Sequence, residues 1–170
     1  MSLSSHCANW LKLGAEACRK VEQACGDLPI VVEHVGSTSV PGLVAKPIID
    51  LALGLSDMAR IDEVIDALTK AGFIYRGEGD GSVGFLFVWE SEPDIRTIHL
   101  HAVQYPSAHW DDYIVFRDIL RADPQILRDY EKLKKYNAQK FAHDRKQYTS
   151  AKAKFVREVI ASGGEAKDED

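Results

Sequence analysis

Residues 30–55 constrain the fold of this chain more than any other stretch, because they predict a strand, a loop and a second strand in succession. The first part, IVVEHV, is mostly β-branched, as is typical of a buried strand. The loop that follows at once begins with Gly36, Ser37, Thr38 and Ser39. A glycine permits a positive φ, and small hydroxyl residues beside free backbone N–H groups suit an anion such as a phosphate. The stretch therefore predicts an anion-binding loop between two strands.

The second predicted strand, residues 48–55, carries one carboxylate among apolar side chains. Side chains alternate between the two faces of a strand. One face is an uninterrupted apolar row of Ile49, Leu51, Leu53 and Leu55. Asp50 lies on the other face, and a buried carboxylate needs a cation, a hydrogen-bond donor or an open cleft. Asp50 is thus either the ion-pair partner of Lys46, the one cation of this stretch, or part of a functional site.

A later predicted strand, residues 97–103, places two histidines on one face. His99 and His101 are two residues apart, so Ile98 and Leu100 face the opposite side. Two such histidines can bind zinc or another transition metal if a third ligand converges on them. They can also act as acid–base groups near neutral pH. A pair of packed, hydrogen-bonded histidines is the alternative.

The segment HVGSTSVPGLVAKPIIDLAL, residues 34–53, resembles the motif of the GrpB-like family of bacterial proteins. The similarity continues through RTIHLHAV, FRDILRADP, YEKLKKYNAQKF and YTSAKAKFV, which extend it to residue 156. That family belongs to the nucleotidyltransferase superfamily with the polymerase-β-like fold. In the superfamily, the Gly-Ser loop holds nucleotide phosphates and carboxylates on later strands hold magnesium. The resemblance therefore implies a nucleotide or other phosphorylated small molecule as ligand, and transfer of a nucleotidyl or phosphoryl group.

The carboxylates depart from the superfamily pattern. Ala52 stands where a second carboxylate is expected, and the strand expected to carry a third holds His99 and His101 instead. A two-metal mechanism needs several oxygen ligands, so a Mg²⁺ or Mn²⁺ cofactor is left open. If a metal binds, Asp50, His99 and His101 are its predicted ligands and the predicted catalytic groups. Two alternatives stay open: a non-catalytic nucleotide-binding module, and a transition-metal-dependent hydrolase or transferase that uses the two histidines.

The predicted C-terminal helices offer further ligand contacts. Arg117 and Lys152 could supply positive charge to a phosphorylated ligand, together with Lys46, and Tyr148 could stack on a base. Tyr148 and Lys152 are four residues apart, so a helix places them on one face. A charged helix face is usually only solvated, and that is the alternative for these residues and for Arg121, Lys134 and Lys135.

The order of predicted elements indicates an α+β domain with a mixed, mostly antiparallel sheet, flanking helices and a C-terminal helical layer. We expect one domain over residues 1–164 and an acidic tail over 165–170. Helices are predicted over residues 5–25 and from an N-cap at Ser56 to Gly72. Three more are predicted from Ser107, or the Pro106 turn, to a stop at Gly163 and Gly164. Residues 77–82 and 90–94 are predicted to be turns.

Composition limits the class of partner. A chain of 170 residues with 45% hydrophobic residues fits one globular domain. The net charge of −5 argues against nucleic acid or an anionic membrane as the main partner. No apolar run reaches membrane-spanning length and the N-terminus lacks a signal-peptide pattern, so we expect a cytoplasmic protein. The sequence does not predict the oligomeric state.

Overall fold

A five-stranded sheet organises the protein, and the computed structural model describes residues 3–5, 7–78, 84–92 and 95–165. The strands are β1 (Ile30–Val35), β2 (Ile49–Leu55), β3 (Ile74–Glu78), β4 (Phe85–Glu92) and β5 (Ile95–Gln104). Their order is β1-β2-β5-β4-β3, with β2 and β5 parallel and the other neighbours antiparallel. The predicted α+β class and mixed, mostly antiparallel sheet are therefore confirmed.

In the described residues, five α-helices cover the two faces of this sheet. They are α1 (Asn9–Cys25), α2 (Ile61–Lys70), α3 (Ala108–Ala122), α4 (Pro124–Lys140) and α5 (Arg145–Glu165). Short polar side chains begin two of them, as predicted. The Ser107 hydroxyl accepts a hydrogen bond from the Trp110 N–H, and the Asp123 carboxylate accepts from the first free N–H groups of α4. Pro124 occupies the first turn, where its missing N–H costs nothing.

The alternation of side chains along β2 assigns the two layers. The apolar row of β2, which includes Leu51 and Leu53, packs into the main core. Helices α1 and α2 cover this core with residues such as Val21 and Leu68. Ala52 faces the other side and packs with Val35, Val103 and Trp110 beneath α3. A second cluster, which includes Leu43, Leu120 and Tyr130, joins α3, α4 and α5 into the predicted C-terminal layer. The face of β2 that carries Asp50 is therefore covered by this layer.

The predicted start of α2 was wrong by several residues. Ser56 does not cap it, because a 3₁₀ helix, Met58–Arg60, precedes α2. The Asp57 carboxylate accepts from the Ala59 N–H at 3.1 Å and begins that short helix instead. A neighbouring Asp thus supplied the capping oxygen that the sequence analysis assigned to Ser56.

The two glycines predicted to stop the last helix, Gly163 and Gly164, lie within α5, which ends one residue later at Glu165. A Cβ atom at Gly163 would lie 2.2 Å from Ile119 Cδ1, so this glycine lets α5 pack closely on α3. Close helix packing, and not helix termination, explains its presence. Residues 166–170 of the predicted tail lie outside the described residues.

Part of each predicted turn belongs to a strand, and residues 93–94 lie outside the described residues. Gly77 and Glu78 belong to β3, where a bulge between Tyr75 and Glu78 accommodates the positive φ of Gly77, +84°. Residues 79–83 lie outside the described part of the chain. The acidic residues from Glu90 to Glu92 extend β4, and Glu90 pairs with Arg76 at 3.2 Å and with Arg96 at 3.6 Å. These cations offset the charge that made a turn the simpler prediction.

Candidate functional site

The loop after β1 forms a short 3₁₀ helix, Ser37–Ser39, at the open edge of the sheet. Gly36 precedes it with φ +68° and ψ −170°, a conformation that is essentially restricted to glycine. A Cβ atom there would lie 2.7 Å from Asp50 Oδ2. Gly36 is therefore required twice, once for its backbone conformation and once for the close approach of the loop to Asp50.

Two of the three loop hydroxyl groups hold the loop itself. The Ser39 hydroxyl donates to the Gly36 carbonyl at 2.7 Å, and the Thr38 hydroxyl donates to the Ile48 carbonyl at 3.3 Å. His34 Nε2 lies 3.0 Å from the Thr38 oxygen, and burial lowers the pKa of His34 to about 4, so the ring is neutral. Ser37 is the loop residue whose side chain borders both cavities described below.

Lys134 on α4 fixes Ser37 from the opposite wall. Its side chain is only 2% exposed, and its ammonium group donates to Ser37 Oγ at 2.7 Å and to the Val44 carbonyl. Burial, together with the nearby charge of Lys152, lowers the Lys134 pKa to about 7. The sequence analysis left Lys134 among solvated charges, and for this residue that interpretation was wrong.

A helical-wheel comparison could have identified Lys134. It lies four residues after Tyr130 and three before Asn137, and all three side chains are buried on α4. The adjacent Lys135 is solvated as predicted and pairs with Glu131. A lysine in register with the apolar side of a helix is the signal that distinguishes the two.

Arg121 was likewise left among solvated charges, yet it supports the loop from α3. Its Nε and one terminal nitrogen both donate to the Ser39 carbonyl, at 3.1 and 2.8 Å. Arg117, which was predicted to bind the ligand, instead donates to Glu33 at 2.7 Å, to Asp118 at 2.8 Å and to the His34 carbonyl. The structure places Arg117 beside β1 and not with the other candidate residues.

The parallel pairing of β2 with β5 sets Asp50 directly beside His99. Asp50 Oδ1 and His99 Nδ1 are 3.5 Å apart, and their side chains are 33% and 16% exposed. His99 Nε2 is buried without a hydrogen-bond partner in the described part of the chain. Two residues along, His101 is more deeply buried, which lowers its pKa and keeps the ring neutral. Asp50, His99 and His101 therefore line one cleft.

A cavity of about 330 Å³ opens over these groups, and we call it the lysine cavity. Three lysines line it, Lys46, Lys134 and Lys152, along with Ser37, Thr38, Asp50, His99, His101, Tyr148 and Thr149. The ammonium groups of Lys46 and Lys152 lie 4.6 and 4.4 Å from the centre of the Tyr148 ring. Burial lowers the Lys152 pKa to about 8. The cavity thus combines one carboxylate with three cationic side chains.

The donor set around Asp50 does not match a two-metal site. Ala52 offers no oxygen, and it pairs in the sheet with His101. Within the described residues, no group of three His, Cys, Asp or Glu side chains lies close enough to hold a metal ion. Three lysines in the same cavity also disfavour a bare divalent cation by charge repulsion.

The fold is similar to that of a solved nucleotide polymerase. The structure of the Cid1 poly(U) polymerase with Mg 3'-dATP bound superposes with a TM-score of 0.59 over 86% of this chain and 49% of that one, at 11% identity. This likeness concerns the fold alone.

The chain belongs to the GrpB protein family, whose profile matches residues 1–162. The glutamate-rich protein GrpB of Alkalihalophilus pseudofirmus is 33% identical over 161 residues, which cover 93% of this chain and 92% of that protein. The crystal structure of the conserved protein GrpB from Enterococcus faecalis superposes with a TM-score of 0.86 at 28% identity, over 99% of this chain and 100% of that one. The family resemblance noted in the sequence is confirmed.

No helix in the part of the chain that the structure describes is long and apolar enough to cross a membrane.

Proposed function

We propose that the protein binds a nucleotide or another phosphorylated small molecule in the lysine cavity and transfers its nucleotidyl or phosphoryl group. The observation that carries this proposal is the convergence of Lys46, Lys134 and Lys152 on the Ser37 loop, next to Asp50. The phosphates would lie against the lysines and the exposed end of the loop. Asp50 would border the phosphorus that is transferred.

The charges that line the lysine cavity favour an anion. Burial lowers the pKa values of Lys134 and Lys152, because a charged ammonium group is less stable away from water. The other lysines of the cavity lower these pKa values as well, by charge repulsion. A phosphate chain would supply the missing negative charge and several acceptor oxygens, which form strong hydrogen bonds with ammonium groups. The nucleotide bound to the Cid1 neighbour agrees with this class of ligand.

A non-catalytic nucleotide-binding module is the second candidate function. Ala52 and the poor match to a two-metal site favour it, because the lysine cavity needs no metal in order to bind phosphates. The third candidate, a transition-metal enzyme centred on His99 and His101, receives less support from the described residues, since no third ligand joins them. The proposal therefore does not require a divalent metal, and the binding experiment below compares each nucleotide with and without one.

Calorimetric titration with ATP, UTP, GTP and CTP, each with and without Mg²⁺ or Mn²⁺, tests the proposal. We expect at least one nucleotide to bind the wild-type protein at or below millimolar concentration. Ser37→Ala should weaken that binding by about 1 kcal/mol, roughly fivefold in Kd, because one hydrogen bond is lost. No heat and no thermal shift with any of the nucleotides would overturn the proposal.

Lys134→Met should weaken nucleotide binding by roughly tenfold or more, because it removes both a cation and the donor that orients Ser37. Lys135→Met is the matched control, since that lysine is the next residue of α4 and points to solvent, where it pairs with Glu131. The control should bind as the wild type does. Equal losses in the two variants would show that general surface charge, and not the cavity, attracts the ligand.

Nucleotide affinity should fall as the pH rises. Lys134 and Lys152, with pKa values of about 7 and about 8, lose their protons and hence their attraction for phosphate. We expect Kd to increase about tenfold or more between pH 7 and pH 9. Calorimetry in buffers of different ionisation enthalpy should also detect proton uptake on binding. An affinity that does not change over this range would contradict the prediction.

The stability of the ligand-free protein should respond to pH in the opposite direction. The folded-state pKa of Lys134, about 7, lies below the ordinary 10.5, so the unfolded chain binds more protons between these values. The contribution of Lys134 to the free energy of unfolding should therefore increase with pH across that window. Denaturation of the wild type and of Lys134→Met at several pH values isolates this contribution.

A further inference from the structure

A second cavity of about 340 Å³ adjoins the lysine cavity at Asp50 and is lined by residues of α3, α4, α5 and the end of β1. We call it the aromatic cavity, because its distinctive walls are Tyr113, Phe116, Tyr130, Val156 and Ile160. It shares Ser37, Asp50, His101 and Lys152 with the lysine cavity. The two cavities therefore form one cleft with two chemically different ends, and Asp50 and His101 lie at their junction.

Ring contacts hold the walls of the aromatic cavity. The Phe116 and Tyr130 rings pack edge to face with centres 5.2 Å apart, and the His101 ring lies 5.7 Å from that of Tyr113. Burial raises the Tyr113 pKa to about 12, so its hydroxyl remains protonated. The charged residues of this cavity at its solvent-exposed rim are Asp112 and Arg157, which lie on α3 and α5. The interior suits an apolar body and not a phosphate chain.

We infer that the aromatic cavity binds the acceptor, a small molecule with an aromatic or branched apolar body that presents a hydroxyl group to the Asp50–His101 junction. This inference rests on the proposed function. In phosphoryl transfer the attacking and leaving oxygens lie roughly in line, on opposite sides of the phosphorus. If the leaving phosphates lie among the lysines and the phosphorus lies at Asp50, the attacking oxygen must approach from the aromatic cavity.

The transfer step balances with groups that are present. The acceptor hydroxyl oxygen forms a bond to the transferred phosphorus, and its proton passes to a ring nitrogen of the neutral His101. The bond between that phosphorus and the bridging oxygen breaks, and the electron pair leaves with the phosphate chain on the lysine side. An apolar acceptor also fills the cavity and excludes water, which would otherwise attack in its place.

Methyl NMR of the wild-type protein, with 2-phenylethanol as the probe, tests the location directly. We expect 2-phenylethanol to shift the Val156 and Ile160 methyl signals equally with and without ATP, because the two ligands occupy different ends of the cleft. Glycerol at the same concentration should leave these signals unchanged. Displacement of 2-phenylethanol by adenosine or uridine would overturn the inference, since the cavity would then hold the base of the nucleotide.

A substitution that fills the cavity provides the second measurement. Val156→Trp should abolish the response to 2-phenylethanol while ATP affinity stays within about twofold of the wild type. Lys154→Trp introduces the same side chain at an exposed position of α5 and should change neither. If Val156→Trp does not fold, the wild-type methyl shifts still decide the question.

The two proposals fail differently. If ATP binds the wild type and 2-phenylethanol does not reach the Val156 and Ile160 methyl groups, the acceptor assignment alone is overturned. If ATP does not bind at all, the proposed function fails first and the acceptor assignment falls with it. Loss of ATP affinity in a folded Val156→Trp protein would also overturn the assignment, because it would place part of the nucleotide in the aromatic cavity.

Discussion

Gly36→Ala should destabilise the protein by about 2–4 kcal/mol and also abolish most of its nucleotide affinity. The alanine would adopt a backbone conformation that is essentially restricted to glycine, and its Cβ would collide with Asp50 Oδ2, 2.7 Å away. Either the loop or the carboxylate must then move. Since the loop carries Ser37, both the phosphate contacts and the position of Asp50 would change. Chemical denaturation and nucleotide titration measure the two effects.

Gly42→Ala is the matched control for this substitution. Gly42 also has a positive φ, +85°, but a Cβ atom there would have no neighbour within 4 Å. The free energy of unfolding of the Gly42→Ala protein should fall only by the cost of the backbone conformation, about 1–2 kcal/mol, and its affinity for nucleotide should not change. If the two alanine variants lost equal stability and equal affinity, the close approach of Gly36 to Asp50 would have no functional meaning.

Asp50→Asn should reduce transfer of the nucleotidyl or phosphoryl group by roughly a hundredfold or more while nucleotide binding remains intact or becomes tighter. Asparagine keeps the size of the side chain and removes the negative charge at the junction of the two cavities. A carboxylate beside the bound phosphates repels them, so its removal should favour binding. Release of pyrophosphate or phosphate from the nucleotide that binds, together with calorimetry, separates the two effects.

Asp62→Asn is a suitable control, since Asp62 is an exposed residue in the first turn of α2, on the other face of the sheet. It should change neither turnover nor affinity. Three results of the Asp50→Asn experiment are informative. Loss of turnover with retained binding supports catalysis, and retained binding in a wild type without turnover favours the binding module. Unfolding of the variant without any ligand effect would make Asp50 a structural residue.

Local patterns in the sequence were sufficient to predict which face of β2 packs into the main core and where two of the helices begin. The alternation of Asp50 and Leu51 along β2 predicts which face meets the core, because the period of a strand is two residues and apolar burial is strong. The Ser107 and Asp123 caps follow from the same local chemistry. Where two cap residues adjoin, as at Ser56 and Asp57, the local signal could not choose between them.

Charges on helices were the least predictable part of the site. The sequence around each of these charges is typical of an ordinary solvated helix, and this holds for Arg117, Arg121, Lys134 and Lys152. Their environments differ greatly: Lys134 is buried against Ser37, whereas Arg117 is held by Glu33 on β1. A local pattern can show that Lys134 lies on the buried side of its helix, but it contains no information about these partners of Lys134 and Arg117, which lie more than 80 positions away in the chain.

The sequence alone determined the α+β class, the loop after β1, the facing of Asp50 and the membership of the GrpB family, because strand period, turn residues and motifs are local patterns that can be read one after another along the chain. Only the tertiary structure decided that Lys46, Lys134 and Lys152 converge on Ser37, and that a second, more apolar cavity adjoins theirs at Asp50. The physical reason is that the C-terminal helices meet the sheet through long-range packing. The chemistry of the cleft arises from that contact between distant segments.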